Sequence, residues 1–216
     1  MPKNTFFNLP KDKIDKIVEA AIDEFEEYSY ENASINRIVE SAEIAKGSFY
    51  QYFEDKKDLY RYIVGESEKK KLSYLDVAIK KQDISDYFDS LKDIFLSEVK
   101  FAIDLPKLSA ISLDFKKNRN IEFKKEILEE SLSTDNVFEE LILKGIDNKD
   151  INDSIDVKLK AFLLTSLSMS ILDYFIFETN LNYEKAVEYI ENIVQLLKDG
   201  TKVKKKTKRN FEDRFY

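Results

Sequence analysis

The sequence predicts an all-α chain, and three observations predict it. Apolar residues recur at steps of three and four along almost the whole length. Glycine (4) and proline (3) are scarce among 216 residues, so the usual punctuation of strands and tight turns is missing. No stretch alternates apolar and polar residues as a half-buried strand does, and no internal repeat is present.

The first element runs from Ile14 to Phe25, where Ile14, Ile17, Val18, Ala21, Ile22 and Phe25 share one helical face. Pro10 suits its first turn, and Asp12 and Asp15 complement the positive end of the helix dipole. A shorter period, Ile35, Ile38, Val39 and Ala42, follows with Ser34 as its N-cap. Glu43-Ile44-Ala45 break the pattern, and a third short helix holds Lys46 to Phe53. Phe49 and Phe53 have helical spacing and read as core, locking this helix onto Ile17, Phe25 and Ile38. Asp55, with Asp58 three residues on, reads as the next N-cap; Leu59, Tyr62 and Ile63 then open a longer helix towards residue 78.

The helical pattern continues beyond residue 80. Tyr87, Phe88, Leu91, Ile94, Phe95, Val99 and Ala102 form a stripe closed by Pro106. Shorter segments follow at 108–115, 121–132 and 137–146. Residues 156–178 are the most apolar stretch, and 183–197 repeat a clean stripe that Gly200 closes. The sum is about nine helices. Residues 201–216 carry no apolar period and read as a basic tail.

Composition removes several function classes. There is no Cys and no His, so disulfides, thiolate zinc sites and a Ser-His-Asp triad cannot be built. No enzyme, metal or cofactor is expected. No apolar run is read as approaching the roughly 20 residues that span a bilayer, and the N-terminal stretch lacks a signal peptide's apolar core, so a cytoplasmic protein is expected. The net charge of −7 is unevenly spread: −5 over residues 1–66 (9 basic, 14 acidic), −7 over 67–197 (18 and 25) and +5 over 198–216 (8 and 3). Affinity for phosphates would therefore have to come from a local cluster on one face.

Residues 33–60 carry that cluster. Three short helical pieces with a tight turn between the second and third make the pattern of a helix-turn-helix, whose last helix fits a DNA major groove. Lys46 puts a cation at that helix's start, and Gly47 lets the backbone come close to a phosphate. Ser48, Tyr50 and Tyr52 supply hydroxyls for phosphates, and Gln51 can read a base edge.

The chain here resembles the TetR family of bacterial regulators. The resemblance is carried by Ile35-x-x-Ile38, Ala42, the string Lys46-Gly47-Ser48-Phe49-Tyr50-Gln51-Tyr52-Phe53 and Lys56-Lys57-x-Leu59, with Ala20-Ala21 and Phe25 in the helix before; it covers residues 10–64. It implies an all-α protein with an N-terminal DNA-binding domain at 1–55, a regulatory and dimerisation domain at 56–200 and the tail at 201–216. Ser34, Arg37 and Lys56 would join the phosphate contacts. The last two helices would pair with their copies in a homodimer through Leu163, Leu167, Ile171, Ile190, Ile193, Val194 and Leu197. The family implies a repressor on near-palindromic operator DNA, released by a small ligand. One departure is visible: the family's turn often carries Gly where this chain has Glu43, a costly place for a side chain if φ is positive.

The many aromatics downstream predict an apolar ligand pocket among the helices, with Phe88, Phe95, Phe115, Phe138, Met169 and Phe177 as candidates. Asp173, in the most apolar helix, must be paired, exposed or ligand-facing, and would suit a cationic lipophilic effector. The competing reading is a helical ligand-binding protein that has lost DNA binding, which the acidic N-terminal region favours.

Overall fold

The computed structural model describes residues 1–81, 86–127, 136–154, 156–178 and 182–201, with Val77, Lys81, Phe177, Glu178 and Thr201 described by backbone alone. The basic tail at 202–216 lies outside the described residues, as does 128–135, the expected end of one helix. All regular structure among the described residues is helical, in eleven elements: α1 (Asn4–Phe7), α2 (Lys11–Asn32), α3 (Ile35–Ser41), α4 (Lys46–Tyr52), α5 (Lys56–Lys81), α6 (Tyr87–Asp104), α7 (Pro106–Lys117), α8 (Ile121–Ile127), α9 (Asn136–Asp147), α10 (Val157–Glu178) and α11 (Tyr183–Thr201). The count exceeds the expected nine chiefly through α1, a single turn too short to show a period.

Two apolar cores form. The N-terminal core seals Phe6, Ile17, Ala21, Phe25, Ile38, Phe49, Phe53 and Leu59, each at most 2% exposed. It takes in Ile111 and Phe115 of α7 and Ile127 of α8. Tyr60 is its aromatic hub, with Phe25 at 4.9 Å, Tyr30 at 4.8 Å and Phe123 at 6.1 Å between ring centroids. Burial pushes the Tyr60 hydroxyl far above its ordinary pKa. To bring Tyr30 there, α2 breaks at Ser29 (φ 54°, ψ 171°), a backbone region that few residues other than glycine enter.

The second core joins the α6 stripe to α9, α10 and α11. Gly145 is required within it: an added Cβ would lie 2.6 Å from the Tyr87 ring. Burial in the same place pushes the Tyr87 hydroxyl up to about 12. Helix α5 ties the cores together. Asp55 caps it as expected, accepting from Asp58 N at 2.8 Å, and its 26 residues run about 39 Å from the N-terminal core into the bundle. The ion pairs Lys107–Asp23 (2.7 Å) and Lys57–Glu126 (2.8 Å) fasten α7 to α2 and α8 to α5 around the N-terminal core.

One sequence expectation needs correcting. Val157–Ile176 is long and apolar enough to cross a bilayer by length and composition. The charges that interrupt its apolar run, Lys158, Lys160 and Asp173, lower the mean hydropathy too little to exclude it. Here α10 packs on α9 and α6, as the core helix of a bundle does.

Candidate nucleic-acid interface

The turn between α3 and α4 is set by how α3 ends. Glu43 N donates to Glu40 O at 3.1 Å and Ile44 N to Val39 O at 3.0 Å, the paired bonds of a Schellman motif. Such a motif needs a left-handed residue after the cap, and Glu43 supplies it with φ 55°. The turn thus has the geometry that glycine would serve best, held by a glutamate. Val39 and Ile44 both pack in the N-terminal core, the apolar contact that accompanies the motif. The Glu43 carboxylate takes a hydrogen bond from Lys16 at 2.8 Å, which holds its pKa below the ordinary carboxylate value and that of Lys16 above the ordinary ammonium value.

Helix α4 presents two unlike faces. Phe49 and Phe53 are fully buried, as their spacing predicts. Tyr52 is a correction: expected at the interface, it is only 6% exposed, its ring packed near that of Phe6 at 6.3 Å. Its position follows from helical geometry, because residue 52 lies three beyond Phe49 and shares its inward face. Lys46, Gly47, Tyr50 and Gln51 lie on the exposed face, with Ser48 half-buried. Lys46 has no ion-pair partner among the described residues. Gly47 has no atom within 4 Å of an added Cβ and no positive φ, so nothing in the chain itself demands glycine there.

The other end of α4 is closed by a segment that periodicity could not reveal. The last four carbonyls of a helix lack partners within it. Here Phe49 O accepts from Phe53 N (2.9 Å), Tyr50 O from Lys3 Nζ (3.1 Å), Gln51 O from Thr5 Oγ1, and Tyr52 O from Lys3 N (2.8 Å). The segment is anchored by Phe6, fully buried against Phe53 at 4.9 Å and Tyr62 at 5.4 Å. An isolated Phe-Phe pair ahead of Pro10 was the only signal in the sequence.

Three further candidates are engaged in holding the domain together. Ser34 stands at the N-cap of α3, but its side chain makes no capping bond; its N–H donates instead to Glu24 Oε1 at 2.6 Å. Arg37 clasps the same buried Glu24, with Nε 2.9 Å from each carboxylate oxygen, and lies 4.0 Å from the Tyr28 ring centroid. Lys56 Nζ donates to the carbonyls of Glu31 (3.1 Å) and Ala33 (2.9 Å), closing the end of α2. Sequence reasoning assigned these cations to phosphate without seeing their partners inside the chain.

In the bundle, Ile190 is fully buried and Ile171 and Val194 are 5% and 8% exposed. These residues, expected on a dimer seam, fill the chain's own core because α11 lays the Ile190 stripe on α6 and α10 packs on α9 and α6. The open apolar face of α10 and α11 carries Leu159 (49% exposed), Phe162 (66%), Leu163 (54%), Tyr174 (48%) and Leu196 (73%). Leu167, Ile193 and Leu197 are half-buried.

Of the expected pocket residues, Phe138 and Met169 meet at one cleft. Phe88 and Phe95 pack in the bundle core and Phe115 in the N-terminal core. Asp173 already holds Lys117, 2.7 Å from both its oxygens. The Phe177 side chain lies outside the described residues. Sequence reasoning missed Lys71, Glu98 and Lys116, which line that cleft. Glu98 did carry a signal, since it sits on the apolar stripe four residues after Ile94 and four before Ala102.

The comparisons agree with this geometry. A model of the bacterial regulatory proteins of the tetR family matches residues 17–63. Over 193 residues the chain is 28% identical to an HTH-type transcriptional regulator of Staphylococcus aureus (strain MRSA252), covering 85% of this chain and 92% of that one. The crystal structure of a TetR family transcriptional regulator from Chloroflexus aurantiacus superposes with a TM-score of 0.73 at 29% identity, covering 93% of this chain and 98% of that one. The transcriptional regulator FadR from Bacillus subtilis, in complex with stearoyl-CoA, shares the fold with a TM-score of 0.69 at 17% identity, covering 86% and 98%.

Proposed function

We propose that this chain, which belongs to the TetR family of bacterial regulatory proteins, is a cytoplasmic repressor that grips near-palindromic operator DNA as a homodimer and releases it when a small molecule enters the bundle. The observation that carries the reading is the exposed face of α4, where Lys46, Gly47, Tyr50 and Gln51 stand out over a sealed aromatic wall. Lys46, Ser48 and Tyr50 meet phosphate, Gly47 lets a strand come close, and Gln51 reads a base edge in the major groove. Residues 1–55 act as the DNA-binding part and 56–200 as the regulatory and dimerisation part. The open apolar face of α10 and α11 is the dimer seam, centred on Phe162, Leu163 and Leu196 rather than on the residues buried beneath.

A dimer sets two copies of α4 about 34–36 Å apart, one turn of duplex, so the operator has two-fold symmetry. The effector must prefer the conformer that cannot span that distance, and a coupling of about 1–3 kcal/mol weakens DNA binding roughly 5- to 150-fold. The experiment is selection of bound duplexes from a random pool by the purified full chain. The expected product is a near-palindromic consensus with half-sites one helical turn apart. Recovery of no consensus would favour a bundle that has kept its fold without DNA binding, and a single asymmetric site would overturn the two-fold dimer.

A further inference from the structure

We propose that the cleft between α5, α6, α7 and α10 takes a neutral ligand that donates a hydrogen bond, an alcohol or an amide on an apolar frame, and discriminates against carboxylates and ammonium ions. The proposal rests on reading the bundle as an effector domain.

Its core is a buried ion pair. Lys71 Nζ of α5 lies 2.6 Å from Glu98 Oε1 of α6, and both side chains are more than nine-tenths buried. A buried pair holds its place only when the remaining lone pairs and protons also find partners. The second Glu98 oxygen, Oε2, is buried and accepts from no donor among the described residues. Glu98 lines the cleft, and a ligand that supplies a donor to this oxygen completes the network. Phe101, Phe138, Met169 and Leu172 provide the apolar walls for the rest of such a molecule.

The charge of the site decides the class of donor. Lys71 and Lys116 are at the cleft, and Glu68, fully buried behind it, accepts from Ser112 Oγ at 2.6 Å. With Glu98 that makes two cations and two anions, a balanced set. An ammonium would have to sit against Glu98 beside the Lys71 ammonium, and a carboxylate would bring a third negative charge to the unpartnered oxygen. Either is an uncompensated charge in a place of low dielectric. A hydroxyl or an amide N–H adds a donor and no charge. The same sum argues against the cationic effector expected from Asp173, whose carboxylate Lys117 already neutralises.

The dimensions connect the cleft to DNA binding. It encloses about 430 Å³ with its solvent-open mouth, but the free space within is about 20 Å³, room for one water. A larger guest must move α7, which Ser67 Oγ pins to α5 through Leu108 O at 2.9 Å. Helix α7 also holds α2, through Lys107–Asp23 and through Phe115 in the N-terminal core. Displacing it therefore bears on the elements that carry α4.

The test measures binding of octanol, octanamide, octanoate and octylamine to the full chain by titration calorimetry and thermal shift, without DNA, so that its outcome is separate from that of operator selection. Octanol and octanamide are expected to bind and to raise Tm, with octanoate and octylamine about 10-fold or more weaker. In the double variant K71M/E98L, which removes the acceptor, octanol and octanamide are expected to bind about 10-fold more weakly, while octanoate and octylamine, still charges against an apolar wall, stay weak. Should that variant fail to fold, the ranking on the native chain decides alone. Equal or tighter binding of octanoate or octylamine overturns the proposal. So does binding of none of the four, which would mean that the cleft closes over water, or unchanged binding of octanol and octanamide in the folded double variant.

Discussion

The two cores of this chain spend their side chains in opposite ways. The N-terminal core is aromatic and closed: Phe6, Phe49 and Phe53 are fully buried. Arg37 is spent on Glu24 and Lys56 on the end of α2. The bundle leaves work undone on both sides. It buries Lys71, Glu98 and Glu68 in its interior and exposes Phe162, Leu163 and Leu196 on its outside. A surface that reads DNA must be rigid, because contacts that slip by an ångström lose their energy. A regulatory bundle must have something to gain from a partner and from a second conformer. The difference teaches where to look for each property: specificity over the sealed core, response in the unfinished one.

The largest expected effect tests the outer face of the bundle. L163D/L196D should convert a dimer to a monomer in sedimentation velocity and weaken binding to a selected operator by about 100-fold or more, since the second half-site is no longer tethered. A dimer that persists with unchanged affinity would put the seam elsewhere. Next comes the sealed core. Phe6→Ala should cost about 3–5 kcal/mol and lower Tm by about 10 °C, because a fully buried ring and the anchor of the α4 cap are lost together. A drop of only a degree or two in calorimetry would mean that α1 merely rests on the domain.

Two finer substitutions separate DNA contact from stability. Gly47→Ala should leave Tm unchanged or slightly raised, since a methyl group there meets nothing in the chain and alanine favours the helix. Operator affinity in a gel shift should nevertheless fall about 10-fold. Unchanged affinity would show that no phosphate approaches this backbone. Glu43→Gly should have the smallest effect and the opposite sign, raising Tm by about 2–4 °C by relieving the left-handed side chain. A fall in Tm would show that the surface pair with Lys16 outweighs the backbone.

Much of this architecture was legible before any coordinates. Ile17, Phe25, Ile38, Phe49 and Phe53 could be placed in one core from spacing alone, because helical period reports burial directly. Asp55 could be read as a cap for the same local reasons, and Glu43 as the strained turn from the family resemblance. What failed was local evidence for non-local partners. Tyr52 looked like a free hydroxyl until Phe6, forty-six residues away, covered its ring. Arg37 and Lys56, expected to meet phosphate, also hold Glu24 and two carbonyls that the sequence did not point to. Ile190 and Val194 looked like a seam because periodicity says that a face is buried and cannot say against which copy of the chain.

The order of residues alone determined that this chain would be helical, roughly where its longer helices would lie and which face of each would be apolar, since those properties arise from neighbours within a turn or two. Tertiary structure alone decided which charges are spent inside and which remain on the surface. It brought Lys71, Glu98 and Lys116 to one cleft and Lys3 and Thr5 to the carbonyls of α4. Those meetings depend on how helices stack across tens of residues, and a charge reads the same in sequence whether water or another side chain neutralises it.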